Sequence, residues 1–280
     1  KTVTYKIVPF DINDNAIYST LVANYIYNGE KQTISPYIRD TRSGVSRGLH
    51  KDTDYSVAIT NAGGNAVSNI TDLGTYTVTI SGNGNYGGTI AVSPVTVKLD
   101  GMHKLSVIST STTQIKLKWN RSHDVTGYMI ANASTGFVYG ETASDNYTVV
   151  GLKAGEQYGF RVTPYVVVSG KRSYGDPSNI TARTTLAAAT GTSATNASDG
   201  KVNITWSTSA NVDGYEVYRS ATLSGTYKLA AIVPLAYGGF KDTQVTSGST
   251  YYYKLRGYKK EANGSMTYGA YTAAIKTTFK

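Results

Sequence analysis

Two stretches of this chain are copies of one plan. Ile115-Lys-Leu-Lys-Trp119 returns as Val202-Asn-Ile-Thr-Trp206, which places Trp119 and Trp206 87 residues apart. Gly127-Tyr128 returns at the same spacing as Gly214-Tyr215. The pair Tyr158 and Tyr165 returns as Tyr251 and Tyr258, Tyr174-Gly175 as Tyr268-Gly269, and Thr184-Thr185 as Thr277-Thr278. Five landmarks in constant order, with a small insertion between Tyr215 and Tyr251, mark an internal domain repeat.

Along the whole chain the rhythm is two residues. Val3–Val8, Tyr55–Ile59, Tyr76–Ile80, Ile115–Trp119 and Val202–Trp206 all alternate, and most are bounded by Gly, Asn, Asp, Ser or Pro. That pattern is the mark of antiparallel strands with one wet face. No segment carries capped helical periodicity. Composition agrees: 24 tyrosines stand against 5 Phe and 2 Trp, beside abundant Ser, Thr, Asn and Gly. Aromatic and β-branched residues fit a pleated surface, and the small polar residues fit turns. The expectation is an all-β chain of three tandem antiparallel β-sandwiches, at residues 1–100, 101–186 and 187–280. Short linkers fall near Leu99–His103 and Leu186–Ala189.

The two copies resemble fibronectin type III domains. The likeness rests on the tryptophans Trp119 and Trp206, on the Gly-Tyr that opens the following strand, and on Leu152 or Val245 six residues before Tyr158 or Tyr251. It covers roughly residues 102–280. It implies that each Trp packs between two sheets and that each Tyr hydroxyl bonds a nearby backbone group. The chain holds no Arg-Gly-Asp, so nothing points to an integrin ligand. The third unit, with Gly214-Tyr-Glu-Val-Tyr-Arg219 and Tyr251-Tyr-Tyr-Lys-Leu-Arg256, is most similar to modules of bacterial surface and secreted proteins. Residues 1–100 follow another order: Tyr25-Ile-Tyr-Asn-Gly-Glu30, Asp52-Thr-Asp-Tyr-Ser-Val57, then Gly74 to Ile90. That order resembles the Ig-like MBG-type repeats of bacterial cell-surface proteins, with an irregular middle from Arg39 to Lys51.

Gly82-x-Gly84-x-x-Gly87 has the letters of a dinucleotide fingerprint. A pyrophosphate site needs a helix after its glycine turn, to present free N–H groups. Here Thr, Ile and Val follow, with Pro94 among them, so the segment reads as a hairpin and no cofactor is expected. Asp11-Ile-Asn-Asp-Asn15 resembles the calcium-binding linker of cadherins. It lacks the partner acidic motifs, and a polar turn explains the same residues, so no metal is assigned. His50, His103 and His123 lie in no metal-ligand spacing, and His123-Asp124 comes without a nucleophile elbow. Five glutamates spread over three domains give a paired-carboxylate site no support. The chain reads as non-catalytic.

A net charge of +9 raises the question of an anionic partner. Lys and Arg are spread along the chain, and the densest group is Lys254, Arg256, Lys259 and Lys260 around Tyr258. A strand puts Lys254, Arg256, Tyr258 and Lys260 on one face and Lys259 on the other. This reads as a solvated sheet face, with no nucleic-acid partner expected. Tyr165, Tyr174, Tyr237, Tyr258, Tyr268 and Tyr271 are candidates for a sugar-stacking platform or for cross-strand packing. No cysteine is present, which removes thiol chemistry and disulfides and suits a bacterial surface protein. The start at Lys1, with neither an initiator Met nor an apolar leader, reads as that of a fragment, and the fragment is expected to be monomeric and extracellular, without membrane insertion. Its expected role is a stalk or spacer. The alternatives are an adhesin module for carbohydrate or host glycoprotein, and an accessory region of a secreted polysaccharide-degrading enzyme. A Lys–Asn cross-link is not placed by sequence.

Overall fold

In the strand Ile115–Asn120 the side chains of Ile115, Leu117 and Trp119 are buried, while Lys118 and Asn120 face water. Val202–Ser207 repeats this with Val202, Ile204 and Trp206 inward. A two-residue rhythm of this kind can bury only one face of a strand, so each strand needs a second sheet opposite. The computed structural model describes residues 8–280 and shows an all-β chain of tandem β-sandwiches. Of the expected strand at Val3–Val8, all but Val8 lies outside the described residues. Among the described residues the only helical element is a single 3-10 turn, Leu235–Tyr237.

The second and third sandwiches share one topology. In the second, His103–Thr110, Ile115–Asn120 and Asn146–Val149 form the smaller sheet. The larger sheet runs Val138–Thr142, Gly127–Asn132, Gln157–Val168. The long Gln157–Val168 strand pairs Ser178–Arg183 along its first half and Lys171–Tyr174 along its second. In the third sandwich the corresponding strands are Thr190–Asn196, Val202–Ser207 and Gly239–Asp242, against Lys228–Pro234, Gly214–Ser220 and Thr250–Lys260. Thr250–Lys260 likewise splits its pairing between Ile275–Thr278 and Met266–Tyr268. All of these pairings are antiparallel.

The first sandwich differs. Its five-stranded sheet runs Asn24–Ile26, Thr89–Lys98, Gly74–Gly82, Tyr55–Asn61, Ala66–Val67, facing a sheet of Ile17–Thr20, Tyr37–Asp40 and Arg47–Gly48. Two of its pairings are parallel: Asn24–Ile26 beside Thr96–Lys98, and Phe10–Asp11 beside Tyr86–Gly87. The irregular middle folds as a short hairpin, Tyr37–Asp40 against Arg47–Gly48. Its core is split into a cluster around Ile34, Ile70, Val78 and Val95 and another around Ile12, Ile38, Tyr55 and Ile80. The first of these clusters also takes in Val166 of the second sandwich.

Candidate functional site

The glycine motif is a hairpin. Ser81 pairs Thr89, Gly82 N–H bonds Gly88 O at 3.0 Å, and Tyr86 N–H bonds Asn83 O at 3.0 Å. Gly84 and Gly88 take φ of +61° and +78°, which a side chain rarely tolerates. A Cβ on Gly82 would stand 2.8 Å from the Gly87 backbone, so this glycine serves a close chain crossing. Tyr86 folds back into the core, and its hydroxyl donates to Asp40 Oδ2 at 2.8 Å.

The acidic stretch is spent on turns. Asp11 Oδ1 accepts from Asn13 N–H at 2.9 Å and Asp14 Oδ1 from Ala16 N–H at 2.8 Å. Among the described residues no group of three or more His, Cys, Asp or Glu comes together. His50, His123 and Asp124 are exposed and stand apart from any such group. His103 is also exposed, with Nε2 3.3 Å from Asp100 Oδ1. Lys118 Nζ and Asn146 Nδ2 both donate to the Asp145 carboxylate, each at 3.0 Å. Hydrogen bonds from Asn146 and Lys118 hold that carboxyl below its usual pKa. It therefore stays ionised beside the half-exposed Lys118 side chain.

Of the marker aromatics, Trp119 and Trp206 are buried, and Tyr158 and Tyr251 are half-buried. Trp119 packs edge-on against Tyr128 at 5.1 Å, and Trp206 against Tyr215 at 5.2 Å. Tyr158 Oη accepts from Lys153 N–H and Tyr251 Oη from Thr246 N–H, both at 2.9 Å. These bonds tie the start of each long strand to the loop before it.

The six candidate tyrosines do not form one platform. Tyr165 and Tyr258 are buried, their hydroxyls standing 2.9 Å and 2.5 Å from where a Cβ on Gly127 or Gly214 would be. That crossing explains the glycine of each Gly-Tyr landmark. Tyr237 is 76 % exposed on the 3-10 turn, away from the rest. Tyr174, Tyr268 and Tyr271 are partly exposed and gather around arginines. Arg172 is bidentate on Glu141, at 2.6 and 3.2 Å, and lies 4.1 Å over Tyr165 with Tyr174 at 6.0 Å. Arg256 Nε donates to Glu216 Oε2 at 2.8 Å and lies 3.8 Å over Tyr268, with Tyr271 at 5.1 Å and Tyr218 at 5.5 Å. The basic stripe is thereby dismantled. Arg256 is neutralised, Tyr258 is buried, and Lys254 Nζ rests 4.4 Å over Tyr227. Lys259, on the opposite face, reaches Asp213 at 3.7 Å.

Burial alone would raise the Glu216 carboxyl, but hydrogen bonds from Tyr218 and Arg256 outweigh it and hold the folded pKa below the ordinary value. A depressed folded pKa means stability that is present above the unfolded value, about 4.3, and lost as pH falls through the folded one. Wild type is therefore expected to lose stability more steeply than Glu216→Gln on acidification below about pH 5, with the two curves converging at low pH. Urea midpoints taken across that range check it.

The least foreseen feature is how the sandwiches join. Leu99, in the first linker, is buried, and a Cβ on Gly175 would stand 2.9 Å from its own Cβ. Leu186, 87 residues later in the second linker, is buried too. A Cβ on Gly269 would stand 3.0 Å from its backbone oxygen and 3.1 Å from its Cβ. Each linker leucine is thus seated on the glycine of a Tyr-Gly landmark in the next sandwich. The second joint carries three more ties. Asn211 Nδ2 donates to Ala154 O at 2.8 Å, and Arg183 Nη2 meets Glu261 Oε2 at 3.3 Å. Gly155, at φ +66°, closes on Leu186 and Asn211.

This is the geometry of a β-sandwich array joined by seated linkers, and comparison with known proteins gives part of it a family. Residues 100–183 match the family Fibronectin type III domain, so a domain of that family lies within the chain. Over 86 residues the chain is 31% identical to an amylopullulanase of Thermoanaerobacter thermohydrosulfuricus, a stretch that is 28% of this chain and 6% of that much longer protein. A two-domain fibronectin type III segment of chicken tenascin aligns at 18% identity and a TM-score of 0.44, covering 64% of this chain and 99% of the segment.

Proposed function

We propose that this segment is a non-catalytic spacer in a secreted or wall-attached bacterial surface protein, holding another domain at a set distance and direction. The observation that carries the reading is the seating of Leu99 on Gly175 and of Leu186 on Gly269, which leaves neither linker slack. Linkers that hold spacing need little freedom at the joint, whereas default interdomain surfaces allow relative motion. The likeness to an amylopullulanase favours one setting for such a spacer: the accessory region of a polysaccharide-degrading protein. An Ig-like MBG-type first sandwich fits the same extracellular setting.

The chain has no cysteine, so Ser144→Cys and Ala221→Cys introduce the only two spin-label sites, one on each side of the second joint. Electron–electron distance measurements are expected to give one narrow distribution. Adding Leu186→Ser should broaden it, because a polar side chain loses the seat that burial stabilises by roughly 1.5–3 kcal/mol. A parent distribution as broad as that of a variant with a flexible Gly-Ser insertion at Ala187 would refute the spacer.

A further inference from the structure

The second joint borders an open cleft of about 360 Å³ between the second and third sandwiches, within the range of about 300–1,000 Å³ typical of small-ligand sites. Its walls include Thr110, Gln157, Thr181, Arg183, Glu261 and Tyr268. We propose that this cleft binds a neutral glycan chain, with Tyr268 as the stacking wall and Gln157, Thr110 and Thr181 as hydroxyl partners. The inference goes beyond the spacer reading, which stands without any ligand.

Charge decides the ligand class. The cleft holds one cation and one anion, Arg183 and Glu261, and they neutralise each other. Arg183 is further occupied by Gly155 O at 2.7 Å and Gln157 Oε1 at 3.4 Å, and Glu261 Oε1 by the Thr267 hydroxyl at 2.9 Å. An ionic ligand would have to break this set, while a neutral polyhydroxyl ligand leaves it intact and lines up with its rim. Among the described residues the Gln157 amide nitrogen and the Thr110 and Thr181 hydroxyls make no hydrogen bond, and they line the cleft where a ligand's hydroxyl groups would meet them.

Rigidity decides the wall. Tyr268 is 38 % exposed, and Arg256 rests on its ring at 3.8 Å. No second cation or ring stacks on it among the described residues. An aromatic ring fixed from one side offers the other to the apolar face of a pyranose at little entropic cost. At the first joint the corresponding cleft is smaller, about 260 Å³, and is walled by Leu73, Val97 and Leu99 beside Tyr174. That lining lacks the amide and threonine hydroxyls, and a further cleft of about 430 Å³ at the same joint, lined by Asp72, Leu73, Val168, Ser169, Lys171 and Ser173, offers no aromatic wall.

The test is a nitrogen–proton NMR titration of the whole chain with maltohexaose and cellohexaose, and with hexagalacturonate as the charged control. One neutral hexasaccharide is expected to move the signals of Gln157, Thr181, Arg183 and Tyr268 with an affinity near 1 mM, equivalent to about −4 kcal/mol. Tyr268→Ala should weaken binding by about five- to tenfold. That change also frees Arg256, so Thr181→Val, which removes one exposed hydroxyl, is the second variant and should weaken binding by about threefold or more. Glu261→Gln leaves Arg183 uncompensated and should turn the preference toward hexagalacturonate. Three results would overturn the proposal: no shift at these residues with either neutral glycan, shifts centred instead on Tyr237, or binding unchanged in both Tyr268→Ala and Thr181→Val. The spin-label distances report on the spacer independently of all three.

Discussion

Trp119→Ala is expected to destabilise the second sandwich by about 3–5 kcal/mol. Trp119 is 1 % exposed and packs among Ile115, Leu117, Tyr128, Ile130 and Phe160, so its removal leaves a cavity that rigid strands on both sides cannot close. Among the described residues its buried indole N–H finds no hydrogen-bond partner, so packing carries the expected contribution. This separates two variants. Trp119→Phe keeps most of the volume and forfeits no hydrogen bond, and should cost only about 1–2 kcal/mol. Calorimetry of the whole chain checks both, because each kcal/mol moves the midpoint of a domain this size by roughly 4–8 °C. The Trp119→Ala transition should fall far below that of Trp119→Phe, with the third-sandwich transition moving less than either. Equal costs for the two variants would mean that the indole N–H, not packing, holds the site.

The same tryptophan shows what a sequence of this kind reveals. Strand alternation is a local property, so Ile115, Leu117 and Trp119 could be assigned to one face before any partner sheet was known. Repetition then carried the assignment to Val202, Ile204 and Trp206. Hairpin chemistry was legible for a similar reason: the residues after Gly87 are strand formers, and no helix could follow.

What escaped was contact between segments distant in the chain. Glu141 meets Arg172 across 31 residues and Glu216 meets Arg256 across 40, on strands whose order in the sheet no local pattern states. Alternation put Arg256 and Tyr258 on one face, and so they are, yet the glycine at 214 lets Tyr258 sink while the tyrosines around Arg256 stay at the surface. Side is local; depth depends on the neighbour. The parallel pairing of Asn24–Ile26 with Thr96–Lys98 is hidden in the same way, since it brings together ends of the first sandwich 72 residues apart. Tyr-Gly at 174–175 and 268–269 was visible as a landmark, but its use as a seat for Leu99 and Leu186 depends on where the previous sandwich ends.

The second large effect falls on a buried carboxylate. Asp242 is 2 % exposed and accepts four contacts from three donors: from Arg219 Nη1 at 2.9 and 2.7 Å, from the Tyr253 hydroxyl at 2.9 Å and from Gln244 N–H at 2.9 Å. Burial, then the hydrogen bond to Asp242, push the Tyr253 phenol well above its ordinary pKa, so it remains a donor. Asp242→Ala strands three donors at once. Removing one partner of a buried pair costs about 3–5 kcal/mol. Arg219 keeps about a quarter of its side-chain surface in water and a second acceptor, Gln244 O at 2.7 Å, so the expected cost lies near the lower end, about 3 kcal/mol. Tyr253→Phe removes a single hydroxyl and should cost about 1 kcal/mol. In the double variant the two losses should add to less than their sum, because the phenol left unpaired by Asp242→Ala is no longer there to be penalised. Urea unfolding followed by Trp206 fluorescence, with Trp119→Phe as the background so that the third sandwich alone reports, measures all three. Strict additivity would show that Asp242 and Tyr253 act independently and that the carboxylate serves Arg219 alone.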